Sequence, residues 1–488
     1  MVCGTTSNAG KTTVVTGLCR VLARRGVRVA PFKAQNMALN SVVTASGAEI
    51  GRAQGTQAFA AGLAPEAAMN PILLKPTGDR TSQVIVNGRP IGVMTAREYH
   101  DHKPKLLPLV LGALDDLRTR FDVVVCEGAG SPTEINLLDH DIVNLRVAHE
   151  AGMPAIVVGD IDLGGVFASL FGTVALLPDH LRTLVRGFVI NKLRGDPALL
   201  LDGSAQLRAR CGVPTLGVLP WIEEIALDAE DSLALRGVVS PQPAIADELD
   251  VAVIRVPRIS NFTDLDPLVR EPGVSVRFVA DAAAFGWPDL VILPGTKATI
   301  TDLTWLRERG LDTLLRASDA SVLGICGGYQ MLGRSIDDSV ESSVGRVEGL
   351  AMLPVETEFA PDKVTDRCVA VGLGQTVDGY RIHHGRVRPQ GGEAFVTVDG
   401  VVDGVMRGAV YGSTVHGLFE GDAFRRAFLA RVAEHRGKRF VAGDWSFAAK
   451  REEQVDRLAD ALEQHLDLEA VVELIVSAKP VPTRAGSR

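Results

Sequence analysis

The sequence predicts an α/β protein of two domains, a first one built on a parallel sheet and a second α/β domain. A phosphate-binding loop opens the chain and runs directly into a helix. Behind it, continuous apolar strands alternate with helices, the pattern of a parallel sheet that is covered on both faces. A second alternating unit carries a cysteine at a strand-to-helix turn. With 488 residues the chain is also longer than one ordinary hydrophobic core can organise, so two domains are expected.

The composition argues against several classes of protein. A net charge of −8 and an aromatic content of 5% disfavour a nucleic-acid partner, which requires basic patches or stacking platforms. The six cysteines include no CxxC pair, so neither a zinc site nor a disulfide framework is expected. The chain shows no signal-peptide pattern and no long uncharged apolar run. We therefore expect a cytoplasmic protein that does not enter a membrane; its oligomeric state is not predicted.

The first half alternates strand and helix. We expect one helix over residues 12–25, which Gly26 ends, and another over 105–120, where apolar residues recur at helical spacing. Buried strands are expected at residues 27–32, 121–126, 155–158, 187–190 and 215–219. Only three residues precede the phosphate loop, whereas a strand usually has about five. We therefore expect a short first strand or a natural start upstream.

The second half follows a segment rich in proline, glycine and serine, which is typical of a linker. Strands are expected at residues 250–254, 274–279 and 289–293, and the apolar stripe over 448–466 predicts a packed helix rather than a partner-binding one. The predicted division is a P-loop domain over 1–236, a linker over 237–249, a second α/β domain over 250–445, a helical segment over 446–478 and a disordered tail over 479–488.

Residues 4–13 read GTTSNAGKTT, a variant P-loop. The common form has four residues between its glycines, whereas five separate Gly4 from Gly10. Backbone N–H groups at the start of the next helix can still surround the phosphates of ATP, and Lys11 can neutralise their charge. The alternative is a glycine-rich turn, but Gly-Lys-Thr-Thr at a helix start favours the nucleotide. The predicted nucleotide-binding residues are Gly4, Thr5, Asn8, Gly10, Lys11, Thr12, Thr13 and Asn191, the last at a strand end where an amide can read a purine base.

A magnesium ion is expected beside this loop. Its predicted ligands are the hydroxyl of Thr12 and the carboxylate of Glu127, which directly follows a buried strand. Glu127 has the alternative of being an ordinary turn carboxylate. Asp160 and Asp162 follow another strand and are weaker candidates, with a structural role as the alternative.

Cys326 is the predicted nucleophile. It lies in the sequence GICGG at residues 324–328, after an apolar run and before a helix, which is the pattern of a nucleophile elbow. Such a turn is tight and strained and therefore needs glycine neighbours. The alternative is a buried inert thiol, which the flanking glycines disfavour. We expect the Gly327 N–H to supply one oxyanion donor and Gly295, which follows a strand, to supply the other.

His416 is the predicted base for this thiol, because it ends an apolar segment and precedes a glycine. His383 and His384 are adjacent, so strand alternation places them on opposite faces. A thiolate that attacks a carboxamide with such a base releases ammonia. A P-loop in the same chain suggests that ATP activates the acceptor of that ammonia.

The chain resembles the cobyric acid synthase family over nearly its whole length. The first half looks like the P-loop fold of dethiobiotin synthetase, and the second is similar to class I glutamine amidotransferases of the cobyric/cobyrinic type. Many class I relatives have a Glu two residues after the histidine, but here that position is Leu418. The third member of the triad therefore stays open, and the nearest carboxylate, Glu420, is not assigned to it. The segments that carry the resemblance are residues 31–41, 70–76, 140–144, 164–168 and 191–196, the Cys326 elbow and residues 415–417.

The resemblance implies amidation of a corrinoid in cobalamin biosynthesis. The substrate would be adenosylcobyrinic acid a,c-diamide, whose b, d, e and g carboxylates become amides to give cobyric acid. Each amidation would use one glutamine and one ATP with Mg²⁺, at two sites that face one another across the domain interface. Neither the corrin-contacting residues, the order of amidations nor the ammonia path is predicted.

Three alternatives remain open at this point. One is cobyrinic acid a,c-diamide synthase or another P-loop amidoligase, which shares both domains; residues 35–37 and the early P-loop favour the cobyric acid synthase reading. The second, a P-loop ATPase switch that binds a protein partner, would need neither Cys326 nor His416. The third, a cysteine hydrolase with a nucleotide-sensing domain, would hydrolyse glutamine without an acceptor.

Overall fold

The structure is a computed structural model, and it describes residues 1–222 and 248–478. Most of the predicted linker over 237–249 and the whole predicted tail over 479–488 lie outside the described residues. Within the described ranges, no helix is long and apolar enough to cross a membrane.

The first half contains the predicted strands and helices. In chain order its elements are β1 (Val2–Gly4), α1 (Lys11–Arg24), β2 (Val29–Phe32), β3 (Gln35–Met37), β4 (Ser41–Val43), β5 (Glu49–Gly51), α2 (Arg52–Ala60), β6 (Ile72–Pro76), β7 (Thr81–Val86), β8 (Arg89–Thr95), α3 (Ala96–Arg120), β9 (Val123–Cys126), α4 (Leu145–Glu150), β10 (Ala155–Asp160), α5 (Val166–Leu176), α6 (Asp179–Arg182), β11 (Val185–Leu193), α7 (Leu201–Cys211) and β12 (Thr215–Pro220).

Six of these strands, β1, β2, β9, β10, β11 and β12, form a parallel arrangement whose carboxyl edge carries the P-loop. β1 is short, as expected, and pairs with β10, which continues to β11 and β12. On its other side, a bridge between Val2 and Glu127 links β1 to the parallel pair of β9 and β2. In a parallel sheet the carboxyl ends of all strands meet at one edge, where ligands bind. The P-loop, Glu127 and Asn191 therefore share that edge.

Helix α3 begins earlier than the sequence pattern predicts, at Ala96 rather than at residue 105. Thr95 and Glu98 form a capping box that satisfies the first backbone N–H groups. Pro104 and Pro108 lie inside the helix. Because proline normally breaks a helix, Pro104 concealed the part of the helix that precedes residue 105.

Residues 35–95 contain a small substructure that the sequence did not predict. One sheet has the order β3-β6-β7-β8, and β4 pairs with β5 as a hairpin. Its first strands have only three residues each and include polar side chains, so they lack the apolar run that marks a buried strand. This substructure faces the second domain, where Gly47 approaches Thr365 and Val43 packs against Tyr380.

The second half folds around one mixed sheet. Its elements are β13 (Leu249–Ile254), α8 (Asp266–Val269), β14 (Val274–Val279), β15 (Leu290–Leu293), α9 (Thr299–Glu308), α10 (Leu311–Ala317), β16 (Ser321–Ile325), α11 (Gly327–Leu332), β17 (Ser335–Asp338), β18 (Gly345–Glu348), β19 (Val355–Gly372), β20 (Gln375–Pro389), β21 (Glu393–Val398), β22 (Val401–Arg407), β23 (Val410–Ser413), α12 (Asp422–His435), α13 (Phe447–His465) and α14 (Leu468–Val476).

The part of this sheet that carries the cysteine is parallel. Strands β14, β13, β15, β16 and β23 are neighbours in that order and pair in parallel. The sheet then continues through β22, β21 and β19, whose pairings are antiparallel. The second half is therefore an α/β domain, as predicted, and its sheet is mixed.

Helix α13 confirms the predicted packed helix, and it returns to the first domain. Its apolar stripe lies against α1, where Gly17 leaves room for Leu462. At the edge of the contact between α1 and α13, the Arg20 guanidinium pairs with Glu452 and Asp456 at 2.7 Å each. The chain thus crosses from the second domain back to the first, which ties the two together.

Candidate active site

Cys326 lies at a strained strand-to-helix turn between β16 and α11, as the elbow pattern predicts. Its backbone has φ 51° and ψ −107°, a conformation that is unfavourable for a residue with a side chain. A Cβ on Gly328 would lie 1.9 Å from the Leu293 carbonyl oxygen, and one on Gly324 would lie 2.6 Å from the Tyr329 backbone. Both neighbours must therefore be glycine for this turn to form.

The imidazole of His416 is held between Cys326 and a carboxylate. Nδ1 of His416 lies 2.6 Å from Oδ2 of Asp264, and the ring lies close enough to the Cys326 sulfur for that sulfur to raise its pKa. The Cys326 thiol itself donates to the Ile382 carbonyl at 3.8 Å. Burial by itself lowers the pKa of His416, but the Asp264 carboxylate and the Cys326 sulfur outweigh it and raise the pKa to about 10. The imidazole therefore readily takes and keeps a proton beside the sulfur.

Asp264 is the third group that sequence reasoning left open. It follows β13 in a short helical turn, and its other oxygen accepts a hydrogen bond of 2.9 Å from the Gly417 N–H. Glu420, the nearest carboxylate in the sequence, instead pairs with Arg52 of the first domain at 2.8 Å. A thiol, an imidazole and a carboxylate in this order have the general form of a catalytic triad.

The two predicted oxyanion glycines flank this triad. A Cβ on Gly327 would lie 3.1 Å from the Thr296 nitrogen, and one on Gly295 would lie 3.1 Å from Cε1 of His416. A side chain on Gly295 would crowd the His416 ring, and one on Gly327 would crowd Thr296, the residue after Gly295. The structure thus places Gly327 beside Cys326 and Gly295 beside His416, while their roles as hydrogen-bond donors stay predictions.

The other histidines and cysteines have different surroundings. His383 and His384 line the same pocket, but each uses Nδ1 on a backbone carbonyl, and burial lowers the pKa of His383 to about 4. Burial raises the pKa of Cys3 to about 12 and that of Cys126 to about 11. These two thiols are buried and inert, as the sequence suggested.

The P-loop curls around the amino group of Lys11. This group donates to the carbonyl oxygens of Thr6 at 2.8 Å, Ser7 at 3.2 Å and Gly130 at 3.1 Å. Gly10 has φ 98° and precedes the first residue of α1, so the helix N-terminus points into the loop. A phosphate at this position would meet both the ammonium and the helix N–H groups.

The ends of β10 and β11 support the loop from outside. The Asn191 amide donates to the Ala9 carbonyl at 3.0 Å. Lys192 donates to the Asn8 carbonyl at 2.7 Å and pairs with Asp160 at 2.6 Å, while Asp162 pairs with Arg194. Asp160 thus has the structural role that was its alternative, and a base contact by Asn191 stays a prediction.

Thr12 and Glu127 fit a magnesium ion. The Thr12 hydroxyl donates to Oε1 of Glu127 at 2.9 Å, at the mouth of the P-loop. Glu127 is 1% exposed, and Lys33 and Gln57 also donate to it. Magnesium typically takes one or two protein carboxylates and completes its shell with phosphate and water. A hydroxyl and a carboxylate together beside the phosphate loop match that requirement.

A cavity of about 780 Å³ lies over this site, within the usual range for a ligand pocket of roughly 300–1,000 Å³. Both domains contribute to its wall, the second through Pro257 and Arg258. The segment 35–39 lines the cavity directly. One end of a large substrate could therefore reach the P-loop from the domain interface.

The same segment connects the two sites. Directly after it, the Asn40 side chain accepts a hydrogen bond of 3.1 Å from the Phe262 N–H, and the Asn261 side chain accepts one of 2.9 Å from the Ser41 N–H. Asn261 lies 3.4 Å from Nε2 of His416. Residue 39 in the cavity wall and Ser41 are two positions apart, so they are separated by at most about 7 Å. The wall of the nucleotide cavity is thus close to the base of the cysteine site.

Comparison with known proteins agrees with this pair of sites. Residues 1–234 match the CobQ/CobB/MinD/ParA nucleotide binding domain, and residues 250–424 match the CobB/CobQ-like glutamine amidotransferase domain. The cobyric acid synthase of Rhodococcus jostii is 54% identical, covering 98% of this chain and 96% of that protein. The cobyric acid synthase of Streptomyces avermitilis is 53% identical, covering 98% and 97%. This chain belongs to the cobyric acid synthase family. The resemblance drawn from the motifs is therefore confirmed.

Family membership also settles the choice of fold. Both a nucleotide-binding and an amidotransferase family model match this chain, and the parallel sheet around the P-loop and the mixed sheet of the second half lie in the matching ranges. A cysteine hydrolase or a partitioning-type switch would not match such proteins over their full length. These alternatives are not favoured.

Sequence reasoning missed three groups at the cobyric acid synthase sites: Asp264, Lys33 and Asn261. Each follows a strand of a parallel sheet, at the edge where the other functional residues gather. That position was the available signal. It was weak, because no local motif surrounds these residues.

Proposed function

We propose that this chain is an ATP- and glutamine-dependent amidoligase that converts the b, d, e and g carboxylates of adenosylcobyrinic acid a,c-diamide into amides, giving cobyric acid. The observation that carries the proposal is the joint geometry: a Cys326–His416–Asp264 triad and a P-loop cavity are separated by one short segment, residues 35–41. The domain division follows, with the ATP site in 1–236 and the glutamine site in 250–445.

The cysteine site would release ammonia from glutamine. The Cys326 sulfur attacks the side-chain carbonyl carbon, and the oxygen takes up negative charge beside the Gly327 N–H. His416 gives its proton to the departing nitrogen, so ammonia leaves and a thioester remains. Water then attacks the thioester while His416 takes its proton, which releases glutamate and restores the thiol. Asp264 holds the imidazole in place throughout.

The P-loop site would activate the acceptor carboxylate. A carboxylate does not lose oxide, so its oxygen first receives the terminal phosphoryl group of ATP and becomes a good leaving group. Lys11 and the N–H groups at the start of α1 lie where they can offset the phosphate charge. Magnesium, held by Thr12 and Glu127, would supply further positive charge to the phosphates. Ammonia then attacks the acyl phosphate, and inorganic phosphate leaves as the amide forms.

Delivery of the ammonia would take place across the interface. In neutral water ammonia is mostly protonated and cannot attack, so passage inside the protein preserves its nucleophilicity. The contacts of Asn40 and Ser41 with Phe262 and Asn261 lie between the two cavities. We propose that this contact region borders the route.

A product count tests the proposal. The enzyme is supplied with glutamine, ATP, Mg²⁺ and the a,c-diamide, and the corrinoid products are separated by mass. Four successive amidations are expected, each tied to one glutamate and one ADP. A cobyrinic acid a,c-diamide synthase would instead use cobyrinic acid as its acceptor and would add two amides to it. ATP hydrolysis without amide formation would contradict the proposal.

A further inference from the structure

An ion pair between a buried lysine and a partly buried glutamate lies in the same pocket as the nucleophile. The amino group of Lys297 bonds the carboxylate of Glu341, and both side chains line the cavity together with Cys326 and Gly327. Lys297 is 8% exposed. Burying two charges is costly, so such a pair in an active site calls for an explanation beyond stability.

Each member of the pair is held in a fixed position. The Lys297 N–H donates to the Arg258 carbonyl at 3.0 Å, directly after the Gly295–Thr296 turn. Glu341 follows β17, where the buried carboxylate of Asp338 accepts from the backbone N–H groups of residues 340, 341 and 342 at 2.7–3.0 Å. The two charges are thus preorganised on loops at the mouth of the elbow.

Two further ammonium groups of this pocket share a single carboxylate, and Nε2 of His384 lies 3.9 Å from Glu341. Lys75, from the first domain, and Lys363 both contact the fully buried carboxylate of Glu49, at 2.7 Å and 2.5 Å. Lys297 and Glu341 form the separate pair that can exchange partners without exposing an isolated charge.

We propose that Lys297 and Glu341 bind the amino-acid head group of glutamine: Lys297 pairs with its α-carboxylate and Glu341 with its α-ammonium. This inference rests on the proposed glutaminase function of the same pocket. Glutamine is a zwitterion, so it can replace one ion pair by two of the same kind. The open volume beside Cys326 is only about 30 Å³, roughly the share of one water. The head group must therefore displace the Lys297–Glu341 contact to bring the amide to the sulfur.

This arrangement sets specificity. A site that holds charged partners rejects an amide that lacks them, because a buried charge is then left unpaired. Glutaramate lacks the α-ammonium and should be rejected through Glu341. γ-Aminobutyramide lacks the α-carboxylate and should be rejected through Lys297.

The test compares the three amides as nitrogen donors. Full-length enzyme and the variants Lys297→Met and Glu341→Gln are assayed with ATP, Mg²⁺ and the corrinoid acceptor, and kcat and KM are measured for each amide. Each variant is expected to raise KM for glutamine about tenfold or more, the effect of losing one charged contact. Glu341→Gln should leave the KM for glutaramate unchanged, and Lys297→Met should leave that for γ-aminobutyramide unchanged.

Controls separate this outcome from damage to the fold. The double variant Lys297→Met/Glu341→Gln leaves no unpaired charge, so it keeps the fold testable if a single variant fails. Lys438→Met, which removes an ion pair of 2.7 Å to buried Asp289 elsewhere in the domain, should leave all three KM values unchanged. Amidation driven by added ammonia reports the integrity of the P-loop site.

The inference is overturned if both variants raise the KM of all three amides by the same factor. It is also overturned if the wild-type enzyme uses the three amides with the same kcat/KM. A wild-type enzyme that releases no glutamate from glutamine would instead contradict the proposed function itself.

Discussion

Nδ1 of His416 lies 2.6 Å from Oδ2 of Asp264, although 152 positions separate the two residues in the chain. The contact exists because β13 and β23 belong to the same parallel part of one sheet, so the segments after them meet at one edge. With Nδ1 occupied by the carboxylate, the opposite ring edge is directed to the Cys326 side. Asp264 is therefore a positioning residue for the base.

Asp264→Asn should slow glutamine hydrolysis by roughly 10²-fold, since an oriented base contributes at least that much. Asp264 is one of the two groups that raise the pKa of His416 against the effect of burial. Its neutralisation lowers that pKa, so the imidazolium loses its proton at lower pH. The alkaline limb of the kcat/KM profile for glutamate release, which the raised pKa of about 10 places well above neutrality in the wild type, should move to lower pH.

Glu420→Gln is the matched control for this variant. The Glu420 carboxylate that this variant removes contacts Arg52 rather than the triad, so the position of the alkaline limb should not change. A shift of the same size in Glu420→Gln, or none in Asp264→Asn, would refute the role of Asp264.

Cys326→Ala should abolish amidation driven by glutamine and keep amidation driven by a high concentration of ammonia. The reason is that Cys326 only releases the nitrogen, while the acceptor is activated at the P-loop. Lys11→Ala should lose both activities, because it removes the ammonium that the loop surrounds. Both reactions are followed by corrinoid mass. Glutamine-driven activity in Cys326→Ala would mean that another residue is the nucleophile.

Glu127→Gln should raise the Mg²⁺ concentration needed for half-maximal activity and lower kcat for both nitrogen donors. Glu127 bonds the Thr12 hydroxyl, and a neutral amide is a weaker ligand for magnesium than a carboxylate. The measurement is a Mg²⁺ titration of ammonia-driven amidation. Asp162→Asn, whose carboxylate pairs with Arg194 at the surface, should give the wild-type titration. Identical curves for both variants would remove Glu127 from the metal site.

Asn40→Ala should uncouple the two sites. Loss of the hydrogen bond to the Phe262 N–H loosens the interface beside Asn261 and lets ammonia escape. The ratio of glutamate released to amide formed should rise above one, while ammonia-driven amidation persists. Gln206→Ala, on an exposed part of α7, should keep the wild-type ratio. A ratio of one in Asn40→Ala would place the route elsewhere.

Glu49→Gln should lower the free energy of unfolding by about 3–5 kcal/mol, because it leaves two buried lysines without their carboxylate. Burial alone would raise the pKa of Glu49, but Lys363 and Lys75 outweigh this and hold it well below its usual range. A carboxyl group whose pKa is lowered by folding stabilises the protein at pH values above its pKa in the unfolded chain. This stabilisation is lost as the pH falls from that value towards the lowered pKa of the folded protein. The difference between wild type and variant in urea denaturation should therefore persist down to about pH 5.

The elements that the sequence predicted best are those with local causes. Glycines flanking Cys326, the helix after the P-loop and the apolar runs of β9, β10 and β11 act over a few residues each, so their patterns are legible along the chain. The substructure over 35–95 was missed because its first strands are short and carry polar side chains. One of them, β4, also packs its Val43 against Tyr380 of the second domain, a partner that is distant in sequence. The start of α3 was missed because Pro104 interrupts the pattern of a helix whose cap lies further upstream.

By itself, the amino-acid sequence determined the two chemistries of this protein: an elbow cysteine with its histidine, and a loop for phosphate. Only the tertiary structure decided which carboxylate orients His416, which charges surround Cys326, and that segment 35–41 lies between the two cavities. The physical reason is distance along the chain. Motifs arise from neighbours in sequence, whereas Asp264 reaches His416, and Lys297 and Glu341 reach the pocket of Cys326, only because segments far apart in the chain converge in the folded domain.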